Sequence, residues 1–241
     1  MSRKRLDVLL VERGLAESRA QAQALVMAGL VPGHAKPGEQ IDEEAPLEVD
    51  SPPPYVSRAG VKLANALDAF RVDPAGLDCL DVGASTGGFT DVALKRGARK
   101  VYAVDVGHDQ LHPSLRSDPR VVVREGTNAR TLEARDFDES IDVVVVDASF
   151  IGLAKLLDAV ARILREGGTL VALVKPQFEV GPESARRSRG VVRDEDERAR
   201  AIESVRAALR DKGFTIVAES DSVLPGPRGN MERFVLARRV T

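Results

Sequence analysis

One cysteine, three histidines and no long apolar run narrow the chemistry open to this 241-residue chain. With Cys79 alone, an intramolecular disulfide or a cysteine-cluster metal site is impossible. Its place beside an apolar run reads as a small buried core residue. His108 and His112 stand four apart, but Pro113 follows and no third ligand is near, so no metal is expected. No apolar stretch is long enough to span a bilayer. The basic start Met1-Ser2-Arg3-Lys4-Arg5 leads into a charged, periodic segment rather than a signal-peptide core, so a cytoplasmic protein is expected. Positive charge is not in excess either. Lys and Arg number 35 against 37 Asp and Glu, a net charge of −2, so any nucleic-acid surface must be local.

What is present centres on Leu80-Asp81-Val82-Gly83-Ala84-Ser85-Thr86-Gly87-Gly88-Phe89-Thr90. An apolar strand enters a glycine-rich turn that opens a helix, whose free N–H groups and bare backbone invite a ligand. A second apolar strand, Val101-Tyr102-Ala103-Val104, ends on Asp105, where a doubly wound sheet holds ribose hydroxyls. The spacing Gly-x-x-x-Gly-Gly departs from the dinucleotide fingerprint. It favours a nucleoside carrying an amino-acid arm over a pyrophosphate, and S-adenosylmethionine is the first such ligand to consider.

Two shifts in composition divide the chain. Residues 4 to 27 read as two short amphipathic helices, with Ser18 a plausible N-cap and Gly14 and Gly29 where helix ends would fall. An acidic stretch, Gln40 to Glu44, and a short strand at Leu47-Glu48-Val49 follow. The triple proline Pro52-Pro53-Pro54 then makes a stiff spacer. Beyond it strands near 77–82, 101–105, 120–124, 142–147, 168–174, 214–219 and 232–238 alternate with helical segments. Such alternation predicts an α/β fold, a parallel sheet covered by helices on both faces, with a final hairpin of the kind that sets a methyltransferase sheet apart. The expected organisation is a small α+β unit at 1–50, a linker at 51–58 and an α/β domain at 59–241.

The segment Arg5-Leu6-Asp7, then Gly14-Leu15-Ala16-Glu17-Ser18-Arg19 and Ala28-Gly29-Leu30-Val31, resembles the S4 RNA-binding domain. That resemblance makes Arg3, Arg5, Arg19 and Gln23 candidate RNA contacts, Arg19 and Gln23 sharing a helix face at i,i+4 spacing. The stretch after Val31 is short and acidic where S4 domains usually carry basic residues.

Four polar residues stand where an α/β fold gathers function. Lys62 lies in a helix before the first strand, Asp147 and Lys175 close apolar strands, and Glu232 opens the last one. Charges that end fully apolar strands are costly unless paired or functional. The set resembles the Lys–Asp–Lys–Glu tetrad of FtsJ-type ribose 2′-O-methyltransferases. With Tyr55-Val56-Ser57-Arg58, Asp147-Ala148-Ser149-Phe150, Lys175-Pro176-Gln177-Phe178-Glu179, Gly190-Val191-Val192-Arg193 and Gly229-Asn230-Met231-Glu232, the chain is similar to the TlyA family, often labelled hemolysin A. The resemblance implies a class I, Rossmann-like methyltransferase that uses S-adenosylmethionine to methylate a cytidine ribose in ribosomal RNA, 23S first and 16S as the wider reading.

In that reading Lys175 meets the 2′-oxygen, as base if held neutral and otherwise as positive orienter. Asp147 positions Lys175, Lys62 adds positive charge and Glu232 fixes the lysines. Asp81, Gly83, Ser85, Thr86, Gly87, Gly88 and Phe89 approach the cofactor. Asp105 takes its ribose, and Thr127 and Asn128 lie near its adenine. Arg58 and the loop arginines Arg186, Arg187 and Arg189 take RNA phosphates, as does Arg193 in the same basic stretch. The competing readings are an RNA-binding protein of the same fold without catalysis, a haemolysin, and a small-molecule methyltransferase. The last would have little use for an S4-like module.

Overall fold

The computed structural model describes residues 3–27, 29–50, 54–180 and 190–240. It forms two compact units, 1–53 and 54–241. Arg186, Arg187 and Arg189 lie outside the described residues.

In the first unit β1 (Arg3–Arg5) runs into α1 (Leu6–Glu12), followed by α2 (Arg19–Met27) and β2 (Gln40–Asp42). The apolar sides of the helices converge: Leu6, Leu9, Leu10, Ala22 and Val26 bury with Val31 and Ile41 in one small core. Ser18 Oγ accepts from the Gln21 N–H at 3.2 Å, satisfying one of the free donors that open α2. Gly14 and Gly29 take left-handed φ angles of 70° and 71°, which ends the helices before them. The expected strand at Leu47–Val49 does not form. β1 pairs instead with the acidic stretch, Arg3 opposite Asp42, and Leu47 and Val49 only lean on the core. Alternating burial over three residues resembles a strand in sequence, but without a partner edge it has no ladder to join.

Asp7 organises the polar side of this unit. It is fully buried, and its carboxylate accepts from Arg5 Nε at 3.0 Å, Arg5 Nη2 at 2.9 Å, Arg19 Nε at 3.0 Å and Gln23 Nε2 at 2.8 Å. These donors, Arg5 first, hold the Asp7 carboxyl well below the ordinary aspartate value, with burial pulling the other way.

The second unit begins with Pro54 to Ser57, part of the stretch read as linker, laid against a helix: Val56 N–H donates to Asp91 Oδ2 at 2.9 Å and Lys95 Nζ to the Pro54 carbonyl at 2.7 Å. Its elements are α3 (Arg58–Phe70), β3 (Asp78–Val82), α4 (Gly88–Lys95), β4 (Lys100–Val104), α5 (Pro113–Arg116), β5 (Val121–Arg124), β6 (Ile141–Val146), α6 (Leu157–Ile163), β7 (Leu164–Val174), α7 (Pro176–Glu179), α8 (Glu195–Asp211), β8 (Phe214–Asp221) and β9 (Arg233–Arg239). The sheet runs β5-β4-β3-β6-β7-β9-β8. β3 to β7 pair in parallel, while β9 pairs antiparallel with both β7 and β8, the expected terminal hairpin.

Strand alternation fills both faces. Cys79, Val101, Val143, Val145, Val171 and Leu173 pack towards α3 and α4. Leu80, Tyr102, Val144, Val146, Leu170 and Ala172 pack towards α6 and α8. With both faces covered, polar chemistry is confined to the strand ends. The chain leaves β3 outwards to β4 and β5 and then returns to β6 on the other side of β3, so the carboxyl ends of β3 and β6 bound a topological switch point.

The Asp7 cluster generates a test. A carboxyl depressed on folding contributes stability that is complete above the ordinary aspartate pKa of about 3.9 and is lost as pH falls below it. Asp7→Asn is expected to destabilise the first unit by roughly 1–3 kcal/mol at pH 7. Amide exchange in α1 and α2 measures this loss, and the difference between variant and wild type shrinks towards pH 2.5.

Candidate active site

The parallel register places Gly83 and Asp147 side by side at the switch point. Gly83 N–H donates to the Val104 carbonyl and Asp147 N–H to the Val82 carbonyl, each at 2.9 Å. Gly83 has φ 85°, and a Cβ there would lie 2.9 Å from the Asp147 carbonyl oxygen, so only glycine fits. Past β4, Asp105 is held by the backbone: Ser85 N–H donates to Oδ2 at 2.9 Å and Gly107 N–H to Oδ1 at 2.7 Å. Each oxygen keeps a second lone pair for a ligand hydroxyl.

These groups open on a cavity of about 390 Å³ lined by Gly83, Ser85, Asp105, Gln110, Thr127 and Asn128, with Phe150 and Ile151 as an apolar wall. A second cavity of about 150 Å³ shares Gly83, Ser85 and Asp147 and adds Ser57, Thr86, Phe89 and Lys175. The volume suits a drug-sized ligand. A carboxylate with lone pairs free for a diol and an apolar wall suit the adenosine portion of S-adenosylmethionine.

The tetrad closes as two ion pairs. Lys62 Nζ lies 2.6 Å from Glu232 Oε2, with Glu232 fully buried. Lys175 Nζ lies 2.7 Å from Asp147 Oδ1 and also donates to Ser149 Oγ at 2.8 Å. The pairs meet through the sheet: Val174 is opposite Arg233 in the β7–β9 ladder, so Lys175 and Glu232 flank one register pair. Arg233, which breaks the apolar run, turns to Asp221 Oδ1 at 2.9 Å and Glu219 Oε2 at 3.3 Å, leaving Glu232 to the interior.

Several expected cofactor contacts also serve the fold, and Gly88 lines the small cavity as well. A Cβ on Gly87 would meet Leu115 Cδ1 at 2.3 Å, and one on Gly88 would meet Ser57 Oγ at 2.2 Å. The first glycine admits α5, and the second lets α3 and α4 approach. Phe89 reaches the small cavity while its ring packs on Phe234, centroids 6.1 Å apart. Asn128 lines the large cavity and accepts from the Arg130 N–H at 3.1 Å. Asp81 lines neither cavity; it is fully buried and accepts from Thr90 Oγ1 at 2.7 Å. Among the RNA candidates Arg5, Arg19 and Gln23 gather on Asp7, while Arg3, Arg58 and Arg193 are exposed. His112 accepts from the Ser114 N–H as the cap of α5, and no metal-binding cluster occurs among the described residues.

Two residues escaped the sequence reading. Ser149 was visible only as part of a motif, and nothing in the pattern marks it as a lysine partner. Glu125 closes β5 as Asp105 closes β4, so the strand-end rule would have found it. It accepts from the N–H groups of Asp109, Gln110 and Leu111 and from Arg116, which hold its carboxyl down at about 2, Arg116 contributing most. Glu125 thereby fixes the loop that walls the large cavity.

Asp81 gives a pH test. Burial pushes its carboxyl up to about 7 against the opposing Thr90 hydrogen bond. A pKa raised on folding contributes stability that is complete below the ordinary value and is lost as pH rises through about 7. Without ligand, Asp81→Asn is expected to raise the thermal midpoint at pH 8 by roughly 2–4 °C, with the difference from wild type shrinking as pH falls through 5 and vanishing below about 3.9, read by calorimetry.

The sequence pattern of the FtsJ-like methyltransferases matches residues 55–239, and that of the S4 domain matches residues 4–31. The chain is 47% identical over 246 aligned residues to the Mycobacterium tuberculosis 16S/23S rRNA (cytidine-2′-O)-methyltransferase TlyA, covering 99% of this chain and 91% of that one. It is 39% identical to hemolysin A of Brachyspira hyodysenteriae, covering 95% and 97% of the two chains. A solved Streptococcus thermophilus structure with a provisional hemolysin name superposes with a TM-score of 0.77 at 43% identity, covering 100% of this chain and 90% of that one. No helix among the described residues is long and apolar enough to cross a membrane. The chain belongs to the TlyA family, an S4 domain followed by an FtsJ-like methyltransferase domain.

Proposed function

We propose that this chain transfers a methyl group from S-adenosylmethionine to the 2′-hydroxyl of a cytidine in ribosomal RNA, 23S first and 16S as a second substrate. The observation that carries the reading is Lys175, held 2.7 Å from Asp147 on the wall of the small cavity that shares its glycine floor with the large one. The bound cofactor supplies an electrophilic methyl on a sulfonium.

The protein's part is positioning and charge. A ribose hydroxyl is a weak nucleophile, so the site must hold it in line and stabilise the negative charge that grows on oxygen. Lys175 meets that oxygen, with Asp147 and Ser149 fixing its direction, and as the oxygen takes the methyl its proton passes to the Lys175 amine or on to water. Lys62 adds a second positive charge, held by Glu232. Burying that pair is expensive unless both charges stay matched, which keeps the α3 side of the site in place.

RNA recognition divides between the two units. In the S4-like unit Asp7 orients Arg5 and Arg19 while leaving about half of each side chain open to solvent, and phosphate contacts need such arginines. Beside the cavities, Phe150 is 91% exposed and suits stacking on an unpaired base. Arg58, at the start of α3, is exposed for the phosphates flanking the acceptor ribose. A substrate of this kind places the protein in the cytoplasm. The M. tuberculosis relative, named for 16S and 23S rRNA, supports both the acceptor and its chemistry.

The test is methyl transfer from labelled S-adenosylmethionine to ribosomal subunits that lack the modification. Label in one ribose that resists alkaline cleavage, with Lys175→Ala slower by roughly 100-fold or more, is the expected result. RNA binding by wild type with no transfer to either subunit would overturn the enzyme reading.

A further inference from the structure

The loop from Asp147 to Leu153 carries three parts of the site: Asp147, Ser149 and the Phe150–Ile151 wall of the large cavity. It has no regular structure before the short 3-10 turn Leu153–Lys155. Phe150 sits at φ 65°, a left-handed conformation costly for a bulky side chain unless the surroundings impose it. Something must therefore hold this loop against the strand end that carries Lys175.

Glu179, the last residue of α7, does so. Its Oε1 accepts from the Leu153 N–H at 2.7 Å, closing the far end of the loop. A Cβ on Gly152 would lie 2.9 Å from Glu179 Oε2 and 3.3 Å from the Phe178 carbonyl oxygen, so the backbone rests directly on this carboxylate. One residue earlier, the Phe178 ring meets Phe150 at a centroid distance of 5.4 Å. α7 begins one residue after Lys175. The Lys175 pairs hold the near end of the loop and Glu179 holds its far end, both from one short stretch of chain. Burial pushes the Glu179 carboxyl above its ordinary value, opposed by the Leu153 N–H and by Lys155.

We propose that Glu179 is a positioning residue: through Leu153 N–H and Gly152 it sets the loop that aims Asp147 and Ser149 at Lys175 and forms the apolar wall of the cofactor cavity. It touches neither reacting group. The proposal builds on the methyltransferase reading, but its first readout is independent of it.

That readout is amide exchange across residues 147–153 in the full-length protein, compared for wild type, Glu179→Ala, Glu179→Gln and Gly152→Ala. Losing one buried hydrogen bond is expected to speed exchange there by roughly fivefold or more in Glu179→Ala, with the β3–β6 core unchanged. Glu179→Gln restores protection, since its amide oxygen also accepts. Gly152→Ala, whose φ of −70° tolerates alanine, reproduces the loss by displacing the carboxylate. S-adenosylhomocysteine binding weakens in the same order, and kcat on RNA falls by roughly 10–100-fold in Glu179→Ala. Unchanged exchange in Glu179→Ala, or a glutamine variant as damaged as the alanine one, overturns the proposal. A wild type that methylates nothing overturns the functional reading instead and leaves the exchange result to decide this one.

Discussion

The site depends on one steric constraint, the contact between the ends of β3 and β6. Gly83 has its Cα against the Asp147 carbonyl, and a methyl group there would come within 2.9 Å of that oxygen. The parallel ladder from Cys79 opposite Val143 to Val82 opposite Val146 carries both residues to that contact. Were the strands to part by the width of a side chain, Gly83 and Asp105 would move away from Asp147 and its partner Lys175, and the two cavities would lose the wall they share. The apolar sheet below therefore sets the relative position of groups that no direct bond joins.

Burying both faces of a sheet leaves its carboxyl edge as the place where acids can gather, and four of those at the ends of the parallel strands meet different surroundings. Asp105 and Glu125 are capped by backbone N–H groups; Asp105 lines the cavity, while Glu125, which adds Arg116 and is held down at about 2, fixes the loop beside it. Asp147 pairs with Lys175. Asp81 is met by Thr90, and burial raises its carboxyl to about 7. Location at a strand end does not assign a role; the donors that reach each carboxylate do.

This explains what the sequence disclosed. Strand positions, the switch point and the antiparallel hairpin follow from apolar periodicity and chain order, which are local properties. Asp147 and Lys175 were legible because charge at the end of an apolar strand is rare, and Lys62 and Glu232 joined them through the resemblance to the FtsJ-type tetrad. The functions of Gly87 and Gly88 were not, since a glycine admitting Leu115 and one admitting a ligand look the same in sequence. Leu47–Val49 had the right alternation, but strand formation is settled by a partner edge, and β1 took Gln40–Asp42. Asp7 was visible as a letter in a motif, while its part as the acceptor for two arginines and a glutamine arises only when α1 and α2 pack.

The same arrangement appears in both units: a buried or half-buried carboxylate orients groups that do the visible work. Asp7 fixes two guanidinium groups on the S4-like surface. Glu232 fixes Lys62, and Glu179 fixes the loop that carries Asp147. Buried acids cost free energy unless matched, so each persists only where its donors are supplied by packing that the fold already requires. Direction is what they contribute in exchange. A long cationic side chain in water samples many rotamers, and one held by a buried acid presents its remaining donors along few lines. For a reaction whose acceptor is a weakly nucleophilic hydroxyl, and a substrate recognised largely through phosphates, that restriction of direction matters more than charge alone. It also accounts for a protein of net charge −2 that carries the features of an RNA enzyme: the positive charges are not in excess but are held in place.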